Sequence, residues 1–153
     1  MQFLLFYWGG FWQVSQFKKV NKMKIFKLIF AALTLTLAAG CSTTQPVMNM
    51  SNSPVPANLS EQTISQAIIN AGVSKKWVMR EERPGLISGH IQVRSHQANI
   101  SIPYNTLNYS INYVSSVNLS DNGSGKIHRN YNRWINGLNQ AIQIELNRAS
   151  SYK

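Results

Sequence analysis

The chain has 153 residues and a mass of 17.3 kDa, a size that suits one small domain with additional segments. Its 15 Lys and Arg against 5 Asp and Glu give a net charge of +10, a balance typical of proteins that bind nucleic acid or an anionic surface. The bases are unevenly spread, because five of them lie in the first 30 residues and all five acids come later. Residues 41–153 hold ten bases and five acids, so their net charge is only +5.

A segment near the N-terminus has the parts of an export signal in the required order. Residues 23–27 are basic, residues 28–39 are apolar and uncharged, and a small residue precedes Cys41. Twelve apolar residues are too few to span a bilayer, which needs about 20 in a helix. We therefore predict a cleaved signal peptide at residues 23–40, with residues 1–22 as an upstream mis-start of the gene.

The stretch Leu37-Ala38-Ala39-Gly40-Cys41-Ser42 resembles the lipobox of bacterial lipoproteins, with Ala38 where that family usually has Leu. The resemblance implies that Cys41 is lipidated and becomes the first residue of the mature chain. It also implies, through Ser42, attachment to the outer membrane of a Gram-negative bacterium on the periplasmic side. Cys41 is the only cysteine, so an internal disulfide is excluded and acylation would remove a free thiol. Export argues against nucleic acid as a partner.

Residues 42–57 contain Ser, Thr, Asn and three Pro, with no charge and no hydrophobic period. Such a composition predicts a flexible tether between the lipidated cysteine and the domain. The remaining residues, 58–153, are enough for one small hydrophobic core. We therefore place the folded domain there.

The domain begins with a predicted helix and continues with strands. Asn58 or Ser60 can cap a helix that Gly72 is placed to end; its predicted apolar face comprises Ile64, Ala67, Ile68 and Ala71. Apolar and polar residues then alternate over residues 77–80, 87–94, 98–102 and 107–113. Period-two alternation with short connections predicts a four-stranded antiparallel meander with one buried and one polar face.

The C-terminal segment has the strongest helical pattern. At 100° per residue, its apolar residues fall within one arc, which predicts a helix of about five turns. These residues are Tyr131, Trp134, Ile135, Leu138, Ala141, Ile142, Leu146 and Ala149. The arc needs the apolar face of the sheet, so we predict a two-layer α+β domain in the order α-β-β-β-β-α.

Groups suited to catalysis are few in residues 41–153. Neighbouring strand residues point to opposite faces, so Glu81 and Glu82 cannot flank one substrate bond; exposed ion pairing with adjacent arginines is the expected alternative. Asp121 is the only Asp and lies in a Gly-rich loop, where it makes a weak triad member. His90 and His96 are about 20 Å apart if they share one strand, too far to share a metal. We predict no catalytic residue, metal or cofactor.

Several polar residues remain as candidates for binding. The candidate binding face comprises His90, Gln92, Arg94, His96, His128 and Arg129. The polar side of the sheet is either a solvated surface or a surface for a glycan or protein partner. The bases around His128 either flank a solvated helix start or contact phosphate, as in lipopolysaccharide or phospholipid. For Glu145, inside the apolar arc, we expect that the helix end overhangs the sheet or that an arginine reaches it; the alternative is a functional carboxylate.

The segments Trp77-Val78-Met79-Arg80, Tyr109-Ser110-Ile111-Asn112-Tyr113 and 127–135, with those around Pro84 and His96, resemble a family of small proteobacterial lipoproteins of unknown function. That resemblance implies a lipid anchor and a small α+β domain, and it assigns no catalytic residues. The expected function is a non-enzymatic binding or structural module of the envelope. Its expected partners are the membrane, an envelope protein, peptidoglycan or lipopolysaccharide. The alternative is a small envelope hydrolase or hydrolase inhibitor that uses the loop at 121–129.

Overall fold

The structure is a computed structural model, and it describes residues 43–151, all within one compact unit of the chain. The predicted signal peptide and Cys41 lie outside the described residues. Seven strands and two helices follow one another in the described part. They are β1 (Thr44–Pro46), β2 (Met50–Pro54), α1 (Glu61–Ser74), β3 (Val78–Arg83), β4 (Leu86–Val93), β5 (His96–Pro103), β6 (Asn108–Val117), β7 (Lys126–His128) and α2 (Arg129–Ser151).

The main sheet has five antiparallel strands in the order β2-β6-β5-β4-β3, and β1 pairs with β7 in a separate two-stranded sheet. The predicted α+β class with two helices and an antiparallel sheet is therefore confirmed. The predicted count of four strands is wrong, because β2 joins the edge of β6. The four predicted strands are β3 to β6, which are consecutive neighbours in the sheet.

The fifth strand comes from the segment predicted to be a flexible tether. Residues 44–46 and 50–54 of that segment are both in strands, so the described part of the tether belongs to the fold. Sequence pattern missed it because β2 reads Met-Ser-Asn-Ser-Pro and buries no complete apolar side. Backbone pairing with β6 and side-chain hydrogen bonds hold it instead, and neither requires hydrophobic alternation.

Three amide side chains of α2 hold this N-terminal segment. Asn132 Oδ1 accepts from the amide of Met48 at 3.2 Å, and its Nδ2 donates to the carbonyl oxygen of Pro46 at 2.9 Å. Gln143 Nε2 donates to the carbonyl oxygen of Pro54 at 3.1 Å, and Asn139 Oδ1 accepts from Ser53 Oγ at 3.4 Å. Steps of seven and four residues place these amides in one stripe beside the apolar arc of α2. The described part of the segment is thus fastened along the helix.

Helix α1 forms as predicted at its start and differs at its end. Ser60 caps it, since its hydroxyl accepts from the amide of Thr63, and all four predicted apolar residues are buried. Gly72 does not end the helix, which continues to Ser74. A Cβ at Gly72 would lie 2.3 Å from Met79 Cγ, so this glycine serves the close approach of α1 to β3.

Helix α2 confirms the predicted apolar arc. Six of the eight predicted residues are buried, and Trp134 and Ala149 pack against the core from its margin. The inner faces of β4, β5 and β6 supply the opposite side of the same core, chiefly through isoleucines. Neither helix of residues 43–151 is long and apolar enough to cross a bilayer.

Candidate functional site

The side of the main sheet away from the helices presents a broad polar surface, and within residues 43–151 no helix packs on it. Strand alternation sends Ile87, Ile100 and Ile111 inward and leaves their neighbours on the outer side. We call this outer surface the polar sheet face; its central side chains are Ser88, His90, Gln92, Gln97, Asn99, Ser101, Asn112 and Ser115. Most of these groups are uncharged donors and acceptors fixed on rigid strands.

A chain of hydrogen bonds crosses the polar sheet face. His90 Nδ1 and Asn99 Oδ1 are 2.9 Å apart, and Asn99 Nδ2 donates to Ser115 Oγ at 2.9 Å. A register shift in β6 makes this alignment, because Ile100 faces Tyr113 whereas Asn99 faces Ser115. The bulge therefore brings a hydroxyl group opposite Asn99. These contacts pre-orient three side chains from three neighbouring strands.

Exposed valines lie among these polar groups. Val78, Val114 and Val117 are 70%, 58% and 50% exposed. β-branched residues suit strands whether or not they are buried, so single exposed valines have a local explanation. Together with the amides, they give the face the mixed character of a protein or glycan contact surface.

The six residues of the predicted binding face do not share one surface. His90 and Gln92 lie on the polar sheet face, whereas Arg94 lies in the β4–β5 turn with a positive φ of 56°. His96 is aligned with the inward residue Ala98, so it belongs to the opposite side of the sheet. The predicted binding face grouped His96 with His90 because the exact position of the turn between β4 and β5 was not known from the sequence.

His96, His128 and Arg129 come together at one end of the domain. The imidazole rings of His96 and His128 are stacked, with centroids 6.1 Å apart and an interplanar angle of 11°. His96 Nδ1 donates to the carbonyl oxygen of Asn118 at 2.6 Å, and His128 Nδ1 accepts from the amide of Asn130 at 3.3 Å. These contacts orient both rings. Within residues 43–151, no group of three or more His, Cys, Asp or Glu side chains is arranged to hold a metal ion.

Glu145 is reached by an arginine, which is one of the two non-functional explanations that the sequence allowed. Arg148 Nη1 donates to Glu145 Oε1 at 2.7 Å, and the Glu145 side chain is 22% exposed. The pair borders a shallow cleft of about 180 Å³ between α1 and α2. Thr63, Gln66, Ala67, Asn70 and Ala149 complete its lining. This lining includes no residue of the 121–129 loop.

Glu81 and Glu82 point to opposite sides of β3 as predicted, but only Glu82 takes part in an ion pair, with Arg80 Nε at 3.8 Å. Glu81 Oε1 accepts from the hydroxyl of Tyr104 at 2.7 Å, and its Oε2 accepts from Ser65 Oγ at 2.8 Å. The Tyr104 hydroxyl first, and then the Ser65 hydroxyl, hold the pKa of Glu81 below its ordinary value of 4.5. Glu81 therefore acts as a structural anchor between β3 and α1.

Asp121 is engaged by its own loop and by β6. Tyr113 donates its hydroxyl hydrogen to Asp121 Oδ2, and Asp121 Oδ1 accepts from the amide of Gly123 at 3.1 Å. The Tyr113 hydroxyl and then the Gly123 amide lower the pKa of Asp121 from its ordinary 3.8. A Ser-His-Asp triad would need a histidine that donates to Asp121, whereas the described Nδ1 contacts of His96 and His128 are with the backbone of Asn118 and Asn130.

Sequence reasoning missed the amide stripe Asn132, Asn139 and Gln143, which reaches the N-terminal segment from α2. A signal for it exists in the sequence, because all three lie immediately beside the apolar arc on a helical wheel. Asn132 is 6% exposed and one of two buried polar residues of the described chain. Buried amides need partners, so such a stripe predicts a neighbouring backbone.

Comparison of the sequence with models of known protein families and with curated proteins finds no match. A small α+β fold does not by itself imply a function. The chemistry of the polar sheet face and of the domain end near His128 therefore carries the functional interpretation.

Proposed function

We propose that this protein is a lipid-anchored envelope lipoprotein, attached to the outer membrane of a Gram-negative bacterium and facing the periplasm. Support for the anchor comes from the lipobox-like stretch that ends at Cys41, the only cysteine. Two or more acyl chains hold a protein firmly on a bilayer, whereas a single chain binds reversibly. Bacterial lipoproteins, whose lipobox the stretch before Cys41 resembles, carry more than one acyl chain on the cysteine.

We propose further that the domain is a non-enzymatic binding module, and the observation that carries this proposal is the polar sheet face. Its central groups are mostly amides and hydroxyls, and the charged side chains Arg80 and Glu82 pair with each other at the β3 edge. Uncharged donors and acceptors on a rigid sheet suit a partner that is itself rich in hydroxyl or amide groups. An envelope protein and the glycan of peptidoglycan meet that description.

The anchor has a direct test. Replacing Cys41 with Ala should release the protein from the membrane fraction and abolish incorporation of labelled palmitate, since no other cysteine can accept the lipid. Ser42→Ala leaves the cysteine in place and serves as the matched control. Membrane retention of the Cys41→Ala protein at the wild-type level would refute the anchor.

The binding face is tested by changing the residues that cross it. His90→Ala combined with Asn99→Ala removes two of the three side chains of the hydrogen-bond chain. Recovery of the protein on peptidoglycan sacculi, or crosslinking to an envelope protein, should fall about tenfold or more, since each lost 1.4 kcal/mol of binding costs a factor of ten. The control is Asn136→Ala with Gln140→Ala, two exposed polar residues of α2.

Two results would contradict the binding proposal. Equal recovery of the face variant and the α2 control would exclude the polar sheet face. Turnover of an envelope substrate that is lost on changing His96 or Glu145 would establish an enzyme instead. The alternative of a hydrolase or hydrolase inhibitor built on the 121–129 loop has weaker support, because Asp121 is bound by Tyr113 and Gly123.

A further inference from the structure

The charged side chains of the described residues are divided between the two ends of the domain. One end is formed by the β4–β5 turn, the residues at the start of β3, strand β7 and the first turns of α2, and we call it the basic end. It holds six bases, Lys75, Lys76, Arg94, Lys126, Arg129 and Arg133, and one acid, Asp121, for a net charge of +5. The opposite half holds Arg80, Arg83, Arg148, Glu61, Glu81, Glu82 and Glu145, for a net charge of −1.

The antiparallel topology produces this division. Arg94 lies in the turn that joins β4 to β5. Lys76 comes shortly before β3, whose first residue, Val78, pairs with His90 of β4, so the chain before Val78 lies toward that same turn. Strand β7 reaches that end through the bond from the His128 amide to the carbonyl oxygen of Leu119, just beyond β6. Arg129 then begins α2, which runs from there toward the opposite half.

Folding stability does not account for the bases of this end. All six are exposed, and among residues 43–151 the two ion pairs are Arg80–Glu82 and Arg148–Glu145, both in the opposite half. Asp121, the one acid nearby, is occupied by Tyr113 and Gly123. A positive charge in the first turn of a helix, such as Arg129, also opposes the helix dipole. Unpaired like charges in one place instead create a field that attracts anions.

The described chain begins at this same end. The carbonyl oxygen of Thr43 accepts from the amide of Arg129 at 2.9 Å, which holds residue 43 beside the start of α2. An extended chain rises at most about 3.6 Å per residue, so the Cα atom of Cys41 cannot lie more than about 7 Å from that of Thr43. A lipid on Cys41 would therefore hold a bilayer surface beside this end of the domain.

We propose that the basic end lies against anionic phospholipid headgroups of the leaflet that holds the lipid on Cys41. This inference rests on the proposed lipid anchor. The strands then point away from the bilayer, and the polar sheet face stands open to the periplasm. Each base near an anionic surface strengthens the attachment about fivefold. The domain is therefore oriented by its charges, in place of swinging on a flexible tether.

The test uses the acylated protein, purified from membranes and reconstituted into vesicles of phosphatidylcholine alone or mixed equally with phosphatidylglycerol. Ser95→Cys places a single free thiol at the basic end, and Thr106→Cys places one in the β5–β6 turn at the other end; both positions are exposed. Each thiol receives a fluorophore, and nitroxide-labelled lipid headgroups act as the quencher. We expect the label at position 95 to be quenched more strongly than that at position 106, with a larger difference in anionic vesicles.

Charge variants show whether the orientation depends on the positive charge of the basic end or only on the position of the lipid anchor. Lys126→Glu with Arg133→Glu should remove most of the extra quenching that phosphatidylglycerol causes. Arg80→Glu with Arg83→Glu makes the same change of charge in the opposite half and should preserve it. Equal quenching of both labels, unaffected by phosphatidylglycerol, would overturn the proposed orientation while the anchor stands. A protein that does not float with phosphatidylcholine vesicles would overturn the anchor and the orientation together.

Discussion

Asn132 Oδ1 accepts a hydrogen bond from the backbone amide of Met48 across 84 residues of sequence, at 3.2 Å. The same side chain donates from Nδ2 to the carbonyl oxygen of Pro46, so one buried amide satisfies a backbone group at the end of β1 and one in the irregular stretch that follows it. Val47 and Met48 of that stretch are only partly buried against the core. The Asn132 contacts therefore add a specific polar attachment to this apolar packing of the N-terminal segment.

Replacing Asn132 with Ala should destabilise the fold by about 1–3 kcal/mol, because it leaves a partly buried amide without its partner. Urea unfolding measures the loss, and hydrogen exchange at Met48 locates it. Asn136→Ala, one turn further along α2 and exposed, should change stability by no more than about 0.5 kcal/mol. Equal effects of the two substitutions would refute a specific role of Asn132.

Two glycines should respond to alanine in opposite directions. Gly72→Ala would place its Cβ 2.3 Å from Met79 Cγ, so we expect a destabilisation of about 1–3 kcal/mol from overpacking. A Cβ at Gly137 meets nothing within 4 Å, so Gly137→Ala should stabilise α2 by about 0.5–1 kcal/mol through helix propensity alone. Urea midpoints of the two variants measure both effects, and a shift in the same direction would contradict the packing described for α1.

Two buried tyrosine hydroxyl groups differ in their partners. The Tyr109 hydroxyl donates to Asn139 Oδ1 at 2.6 Å and accepts from Gln143 Nε2 at 2.9 Å, whereas that of Tyr131 has no partner within residues 43–151. Burial is the main cause of a raised pKa in both. We expect Tyr109→Phe to cost about 1–3 kcal/mol and Tyr131→Phe to be neutral or stabilising by up to about 1 kcal/mol. Chemical denaturation of both variants decides the matter, and a greater loss for Tyr131→Phe would contradict these contacts.

Acid should weaken the contact between β3 and α1. The folded-state pKa of Glu81 is lowered from 4.5, chiefly by the Tyr104 hydroxyl, so its charged form contributes stability above pH 4.5. That contribution is lost as the pH falls through the lowered pKa, where the carboxylate becomes protonated. Glu81→Gln should therefore be less stable than the wild type near neutral pH, and the difference should shrink in acid.

Tyr104→Phe tests the cause of this pH dependence. Removing the hydroxyl that lowers the pKa of Glu81 most should reduce the acid-sensitive part of the stability without removing the carboxylate. Urea midpoints across the acid range measure it for both variants. A stability difference between Glu81→Gln and the wild type that is constant with pH would contradict the linkage.

Hydrophobic periodicity was sufficient to predict α2 and strands β3 to β6. Each of these elements buries one apolar face, and that burial requires apolar residues at a helical or strand period, which can be read directly from the sequence. Tyr131 and Leu146 on the helix, and Ile100 and Ile111 in the sheet, are fully buried as this pattern predicts. The turn between β3 and β4 falls at Pro84-Gly85, where Gly85 adopts a φ of +83° that glycine accommodates without strain.

The same reasoning failed for contacts between residues that are far apart in sequence. It joined His90 and His96 on one surface, whereas the sheet separates them and stacks His96 on His128. It assigned Gly72 to a helix end, although its role depends on Met79 from the next element. Such contacts have no period, because they depend on which elements become neighbours after folding.

Local sequence pattern thus accounts for the two helices, the four strands β3 to β6 and the prediction of a lipidated Cys41. Only the folded arrangement makes β2 an edge strand, since amides of α2 and the backbone of β6 bind a segment that has no apolar period of its own. Folding also collects six bases that are scattered in the sequence at the end of the domain where Thr43 contacts Arg129. The physical reason is the same in both cases. Hydrogen bonds and electrostatic fields act between residues that are neighbours in space, whereas hydrophobic periodicity is a property of residues that are close in sequence.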